Sequence, residues 1–231
     1  MKKSMFSRLC MVFALLTIVS GFHHVFAWDN HQEMTSLTKF DMDKVDLVKY
    51  AETIVKESSQ PDKNKSWDHS IAMRKRALDA CNGAISSYKA KQDNNSAEQL
   101  AHCLHYLQDI GDPTKEIDNI FHIIMNSRKR KENLRSIAQS LLSKNSKTPI
   151  TTEAEWKNYY PSAHKYFDLM NVETVLNITD RLKSESIREL GSICRQRIDE
   201  NQKRDRIKAS LIRCIANNVA AQNRIVELLV E

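Results

Sequence analysis

The chain contains very few residues that interrupt a helix, with only four glycines and four prolines among 231 residues. Almost every long segment places apolar residues three and four positions apart, which is the spacing of one helical face. The alternating pattern that is typical of strands is nearly absent. These features predict an all-α multi-helix bundle and give no support to a Rossmann or barrel fold.

The apolar periodicity predicts eight helices, which polar connectors separate. They cover residues 43–58, 70–91, 96–109, 116–126, 131–143, 161–170, 172–201 and 204–229. We find no internal repeat or interdomain linker, and a chain of this length can bury one sizeable core. The sequence therefore predicts a single helical domain over residues 28–231, in which 171–231 form a C-terminal helical hairpin.

The N-terminus has the pattern of a secretory signal peptide. The basic residues Lys2, Lys3 and Arg8 surround the start of an apolar segment at 9–18, and a small-residue cleavage motif ends at Ala27. Cleavage there removes three positive charges and no negative one, so the net charge falls from +6 to +3. The pattern predicts a secreted or periplasmic protein. An uncleaved anchor is the alternative, but the segment lacks the roughly twenty apolar residues that span a bilayer.

Four cysteines remain after the predicted signal, in a chain whose export would permit oxidation. Cys81 and Cys103 flank a polar connector at similar distances, so a helical hairpin would bring them level and allow a disulfide. A second disulfide is expected between Cys194 and Cys214, across a turn near Asn201. Other connectivities remain open, and zinc ligation by these thiols is less favoured because the Cys-x-x-Cys spacing is absent.

Two histidine-carboxylate pairs have the spacing of metal ligands on a helix. His105 and Asp109 lie in the segment 104–113, Leu-His-Tyr-Leu-Gln-Asp-Ile-Gly-Asp-Pro, and His164 and Asp168 repeat the same four-residue interval. Side chains four residues apart project from one helical face, so each pair can point at a common ion. The two pairs together indicate a metal site.

These motifs resemble those of the bacterial zinc-dependent phospholipase C family and the related fungal single-strand-specific nucleases. The resemblance rests on Trp28 as the first mature residue, on the string at 104–113 and on the pair at 164–168, and it spans most of residues 28–168. It implies a secreted helical bundle with a cluster of zinc ions held by the N-terminal tryptophan, histidines and carboxylates. Residues 171–231 have no counterpart in this resemblance.

The resemblance also implies roles for individual residues. Trp28 would chelate zinc through its free amine and carbonyl, His105 would be a zinc ligand, and Asp109 would be the carboxylate that bridges two ions. His164 and Asp168 would form the half-site around another zinc ion.

Further members of the site are expected near the N-terminus. His69 matches the family histidine that precedes the long helix leading into the central motif, and His31 is a candidate for the N-terminal histidine. Either Asp62 or Asp68 would be the catalytic carboxylate that helps to activate water, and the sequence does not decide between them. His102 either contacts a metal ligand without binding the ion itself, or it is an ordinary surface or core histidine.

The chain departs from the family pattern at two positions of the central motif. Lys115 stands where the family has a histidine ligand, and a protonated lysine cannot coordinate a metal. The site then holds two zinc ions rather than three, or another residue such as His122 replaces the missing ligand. Gln108 stands where the family has glycine, so a larger side chain lies beside Asp109.

The resemblance implies a zinc-dependent phosphodiester hydrolase, similar to phospholipase C, that acts through a metal-activated water. A phospholipid substrate and contact with a membrane surface are favoured over nucleic acid, because a nuclease is expected to offer aromatic stacking platforms and a basic groove. The aromatic content is 7%, and the basic run 128–131 is more typical of a solvated surface. The alternatives are a non-catalytic family member that acts as a secreted interaction protein and a zinc-dependent single-strand nuclease.

Overall fold

The computed structural model of the chain describes residues 31–42, 45–63, 73–113 and 153–231. The helices, numbered in chain order, are α1 (His31–Thr35), α2 (Ala51–Glu57), α3 (Gln60–Lys63), α4 (Met73–Lys89), α5 (Asp93–Gly111), α6 (Glu153–Lys157), α7 (Tyr160–His164), α8 (Val172–Arg195) and α9 (Glu200–Glu227). A short antiparallel pair, β1 (Asp41–Met42) with β2 (Val45–Asp46), and a 3-10 helix (Val48–Tyr50) lie between α1 and α2. The fold is an all-α multi-helix bundle, as the sequence predicts.

Helices α4 and α5 form a tightly packed hairpin at the centre of the bundle. Small buried residues, Ala77 and Ala84 on α4 and Ala97 and Ala101 on α5, belong to its core. A disulfide joins Cys81 to Cys103, with their Cα atoms 5.0 Å apart, so this predicted pairing is confirmed. Closing a loop of this length stabilises a fold by about 3 kcal/mol.

Helices α8 and α9 form the second hairpin, and side chains cap the start of each helix. Asn171 accepts a hydrogen bond from the backbone of Thr174, and Asp199 accepts from the backbone of Asn201 and Gln202. The buried face of α9 includes, at helical intervals, Ile207, Leu211, Ile215 and Val219. This face packs into the core, as its periodicity predicts.

The predicted disulfide between Cys194 and Cys214 is wrong, because both residues are buried thiols. The turn between α8 and α9 lies at residues 196–199, earlier in the chain than expected. Cys214 consequently lies beside Ser186 of α8, and the two residues line the same small cavity. Ser186 and Cys194 are eight residues apart on α8, or about 12 Å along the axis, whereas a disulfide needs Cα atoms within about 7 Å.

The predicted helix at 43–58 is correct only at its C-terminal end, since α2 begins at Ala51. Before it, the strand pair brings Phe40 and Leu47 together, and the Leu47 amide donates to the Phe40 carbonyl at 3.2 Å. Both side chains are buried in the core. Burying two large apolar groups outweighs the weak helical periodicity of this segment.

The predicted helix at 161–170 is also shorter than expected, because α7 ends at His164. Residues 165–169 form turns, and Leu169 has a left-handed backbone with a φ of 56°. The core residues Trp156, Ala163 and Phe167 hold this region against the rest of the bundle. Among the helices in the described ranges, none has the length and apolar character needed to cross a membrane.

Candidate metal centre

The C-terminal part of α5 is buried, and it carries two of the candidate ligands. His105 and Asp109 lie one turn apart, and neither side chain is exposed to solvent. Because residues four apart share a helical face, Nε2 of His105 lies 3.5 Å from Oδ2 of Asp109. The pair therefore has the arrangement that its spacing predicts.

His31 of α1 adds a second buried imidazole to this pair. Its ring centroid lies 4.0 Å from that of His105, and its Nε2 lies 3.5 Å from Oδ1 of Asp109. One potential ligand atom from each of the three residues lies within 4.8 Å of the other two. His31, His105 and Asp109 can therefore hold a metal ion.

Asp62 of α3 lies on the solvent side of this group. Its Oδ2 is 3.4 Å from Nε2 of His31, and its Oδ1 is 3.7 Å from Nε2 of His105. The Asp62 side chain is 48% exposed, whereas the side chains of the other three residues are buried. Of the two carboxylates considered from the sequence, Asp62 is thus placed against both histidines. Asp68 lies outside the described residues.

Hydrogen bonds at Nδ1 orient both imidazoles. Nδ1 of His105 lies 2.8 Å from the Ser58 carbonyl, which can only accept, so Nδ1 carries the proton. Nδ1 of His31 lies 2.7 Å from Oε1 of Gln108. A neutral imidazole that donates from Nδ1 has its lone pair on Nε2, and a lone pair is what a metal ion binds.

The distances between the imidazole nitrogens and carboxylate oxygens fit a shared cation. Charge-assisted N–H···O hydrogen bonds are about 2.7–2.9 Å long, whereas Asp109 lies 3.5 Å from Nε2 of His31 and 3.5 Å from Nε2 of His105. Ligands at the corners of a tetrahedron around zinc, with bonds of about 2.0–2.2 Å, are separated by about 3.3–3.6 Å. In the part of the chain that the structure describes, the buried Nε2 of His31 also receives no hydrogen bond.

Tyr106 and Arg76 border the cluster. Tyr106 packs edge-on against the His105 ring, with centroids 5.3 Å apart. Burial raises the pKa of Tyr106, the hydrogen bond with Arg76 lowers it, and the negative charges of Asp109 and Asp62 raise it. The Tyr106 hydroxyl therefore interacts with the guanidinium of Arg76 and with both carboxylates, so the positive charge of Arg76 lies near the cluster.

Several predicted site residues lie outside the described residues, namely Trp28 and His69 in addition to Asp68. The same holds for Lys115 and for His122, its possible substitute. Their predicted roles stay predictions. His102 lies within the described residues, and it does not belong to the ligand group formed by His31, His105 and Asp109. Burial lowers its pKa, and the charges of nearby acids partly oppose that effect.

The second predicted pair, His164 and Asp168, is described but does not join His105 and Asp109 in a ligand group. Nε2 of His164 lies 3.6 Å from Oε1 of Glu227, and Asp168 is exposed. The helical argument for this pair is wrong, since the helix ends at the histidine and the next residues form turns. The four-residue spacing therefore does not place the two side chains on one helical face.

Sequence reasoning missed the residues that orient the two imidazoles. In the sequence, Gln108 stands out only as a departure from a family pattern, although its position three residues after His105 indicates a shared helical face. Ser58 contributes its backbone carbonyl, and the sequence carries no side-chain signal for that role. Gln222, a polar residue on the buried face of α9 that accepts a hydrogen bond from Gln108, is a further signal in the sequence.

We compared the chain with protein-family models, with curated proteins and with solved structures, and none of them matches it.

Proposed function

We propose that the protein is a zinc-dependent phosphodiester hydrolase, similar to phospholipase C, that acts after export from the cell. The proposal rests on one observation, the convergence of two imidazoles and two carboxylates from three separate helices. His31 comes from α1, Asp62 from α3, and His105 with Asp109 from α5. A chance histidine-aspartate pair on a helix surface would not recruit two further buried or half-buried partners.

Zinc suits this combination of ligands. Imidazole nitrogens together with carboxylate oxygens are a ligand set that zinc commonly binds in proteins. Ionised Asp62 and Asp109 carry two negative charges, which a divalent cation would neutralise, and neutralisation reduces the cost of burying Asp109. We assign one zinc ion to this group. A second or third ion, as the family resemblance implies, would draw on Trp28 and His69.

The chain's own residues have distinct tasks in this proposal. A bound zinc ion supplies a Lewis acid that polarises the phosphodiester and lowers the pKa of water to about 7. We assign to Asp62 the role of accepting a proton from the attacking water, because its carboxylate is half exposed and lies beside both imidazoles. The buried Asp109 would hold the ion, and Arg76, which interacts with Tyr106 beside the cluster, would offer its guanidinium to the substrate phosphate.

We propose a lipid phosphodiester as the substrate and a membrane surface as the place of reaction. The Leu-His-Tyr-Leu sequence at 104–107 is closer to the phospholipase form of the motif than to the nuclease form. The aromatic content of 7% and modest net charge also favour lipid, since single-stranded nucleic acid is usually bound by stacking aromatics in a basic groove.

Export is supported by two features of the chain. The predicted signal covers residues 1–27, and the disulfide between Cys81 and Cys103 is consistent with an extracellular location.

The proposed activity is tested with mature protein and the variant Asp109→Asn. Hydrolysis is measured on phosphatidylcholine vesicles and on single-stranded DNA, with zinc content determined on the same samples. We expect the mature protein to hydrolyse the lipid, and Asp109→Asn to lose at least about 100-fold in rate. Losing a residue that only supports a ligand already costs about 10–100-fold, and an amide is a weaker ligand than a carboxylate.

A matched control is Asp180→Asn, which removes a carboxylate from the surface of α8, where Asp180 pairs with Lys183 at 3.0 Å. This variant is expected to keep full activity. Equal rates for wild-type protein and Asp109→Asn would refute the role of Asp109. Zinc binding without hydrolysis of either substrate would contradict the hydrolase and favour the non-catalytic alternative, whereas cleavage of DNA alone would favour the nuclease.

A further inference from the structure

Gln108 makes three hydrogen bonds through its side-chain amide, and all of them are buried. Its Oε1 lies 2.7 Å from Nδ1 of His31, and its Nε2 donates to Oγ1 of Thr35 at 2.8 Å and to Oε1 of Gln222 at 3.0 Å. The hydroxyl of Thr38 donates to the same oxygen of Gln222 at 3.0 Å. The amide thus connects the metal centre to the C-terminal helix α9.

Nε2 of His31 faces the carboxylates, and the direction of the hydrogen bonds in this network determines whether that nitrogen carries a proton or a lone pair. With Nε2 of Gln108 donating to two oxygens, its Oε1 must accept, and Nδ1 of His31 must donate. If both glutamine amides were turned over, Gln108 would donate to Nδ1 and Nε2 of His31 would carry the proton. The two networks therefore differ in the tautomer of His31.

The distances around Nε2 of His31 favour the first network. A protonated Nε2 between two carboxylates would form a charge-assisted hydrogen bond of about 2.7–2.9 Å with one of them. Among the described residues, the nearest carboxylate oxygens belong to Asp62 and Asp109, and they lie at 3.4 Å and 3.5 Å. Both distances are too long for such a hydrogen bond, and the distance to Asp109 matches that between two ligands of one metal ion, with the lone pair on Nε2.

We propose that Gln108 is a positioning residue, which holds His31 in the tautomer and orientation that present Nε2 to the metal ion. The inference rests on the proposed metal centre and adds a support that the family resemblance does not imply, since the family has glycine at this position. Helix α9 then does more than pack into the core, because Gln222 on that helix orients the side-chain amide of Gln108 by accepting a hydrogen bond from it.

Two variants of Gln108 separate positioning from simple packing. Gln108→Met has a similar volume but offers no acceptor to Nδ1 of His31. Gln108→Glu keeps an acceptor oxygen and loses the donors to Thr35 and Gln222, so it weakens the network while preserving the contact with the imidazole. Thr38→Val is the matched control, since it removes a hydrogen bond to Gln222 and leaves the one between Gln108 and His31 intact.

The first measurement uses metal-free protein and needs no activity. Long-range ¹⁵N NMR spectra distinguish the two tautomers of a neutral histidine. We expect His31 to carry its proton on Nδ1 in the wild-type protein and in Gln108→Glu, and to become a mixture of tautomers in Gln108→Met. A wild-type spectrum with the proton on Nε2 would overturn the inference by itself, even if no variant could be produced.

The second measurement is zinc affinity, determined by competition with a chromophoric chelator. We expect Gln108→Met to bind zinc about 10–100-fold more weakly than wild type, with Gln108→Glu and Thr38→Val within about threefold of it. Thermal unfolding of each variant shows which of them lose stability. Affinity that follows stability, so that Gln108→Glu and Thr38→Val lose as much as Gln108→Met, would overturn positioning. Wild-type protein that binds no zinc would instead refute the proposed metal centre, and the tautomer would still decide the role of Gln108.

Discussion

Replacing Gly111 by alanine tests how tightly α5, the helix that carries His105 and Asp109, is packed against α9. Gly111 is the last residue of α5, two residues after Asp109. A Cβ atom added there would lie 2.5 Å from Oδ1, 2.6 Å from Nδ2 and 2.9 Å from Cγ of Asn218. Asn218 is only 1% exposed, so its amide has little room to move away.

The magnitude follows from what Asn218 would lose. Its Nδ2 donates to the carbonyls of Gly111 and Cys214, at 3.3 Å and 3.2 Å. Overpacking a well-packed core costs about 1–3 kcal/mol, and losing one such hydrogen bond costs about 1 kcal/mol. The higher helix propensity of alanine offsets about 1 kcal/mol of this loss in stability. We expect Gly111→Ala to lower the free energy of unfolding by about 2 kcal/mol.

Gly191→Ala is the matched control, because Gly191 is also a helical glycine, and a Cβ there would meet nothing within 4 Å. This change should stabilise the protein by about 0.5–1 kcal/mol. For a chain of this size, a change of 1 kcal/mol in the free energy of unfolding shifts the Tm measured by calorimetry by about 2–4 °C. The Tm should therefore fall by about 4–8 °C for Gly111→Ala and rise by about 1–4 °C for Gly191→Ala. Equal shifts of the two variants would refute the close approach of α5 and α9 at Gly111.

Two further predictions concern the hairpins. Lys91, two residues beyond the end of α4, has a left-handed backbone with a φ of 57°, which glycine adopts without strain, so Lys91→Gly should raise the free energy of unfolding by about 0.5–1 kcal/mol. An unchanged or lower value in urea titrations would contradict this backbone strain. Burial raises the pKa of the Cys214 thiol from 9.0 to about 12, so only about one thiol in ten thousand is ionised at pH 8 in the folded protein. Native mature protein should therefore leave Cys214 almost unlabelled by a maleimide, and denaturation without reductant should expose two reactive thiols; detecting none would indicate the disulfide with Cys194 that the structure lacks.

The long helices and one disulfide could be predicted because local sequence determines them. Apolar periodicity alone predicts α4, α5, α8 and α9, with ends that differ from the observed ones by at most six residues. The polar connector lies midway between Cys81 and Cys103, which is enough to pair them. The second pairing failed because it depends on the exact position of a turn, and a shift of a few residues moves Cys214 two helical turns away from Cys194.

Residue spacing predicted the candidate site only where its geometry lies within one helix, whereas His31 and Asp62 were expected from the family resemblance rather than from their spacing. His105 and Asp109 share a turn of α5, so their spacing sufficed, whereas His164 and Asp168 have the same spacing without a helix to support it. Gln108 acts through contacts with residues more than 70 positions away in sequence. Such tertiary contacts leave no periodic signal in the chain.

Zinc binding by the mature protein is the most direct test of the metal centre. Elemental analysis of a metal-replete preparation, after removal of loosely bound ions, should give at least one equivalent of zinc per chain. The same analysis of His105→Ala should give less, because that variant removes a nitrogen ligand without disturbing the network of Gln108. Wild-type protein with clearly less than one equivalent, or His105→Ala with the wild-type content, would contradict the assignment of His31, His105 and Asp109 as ligands.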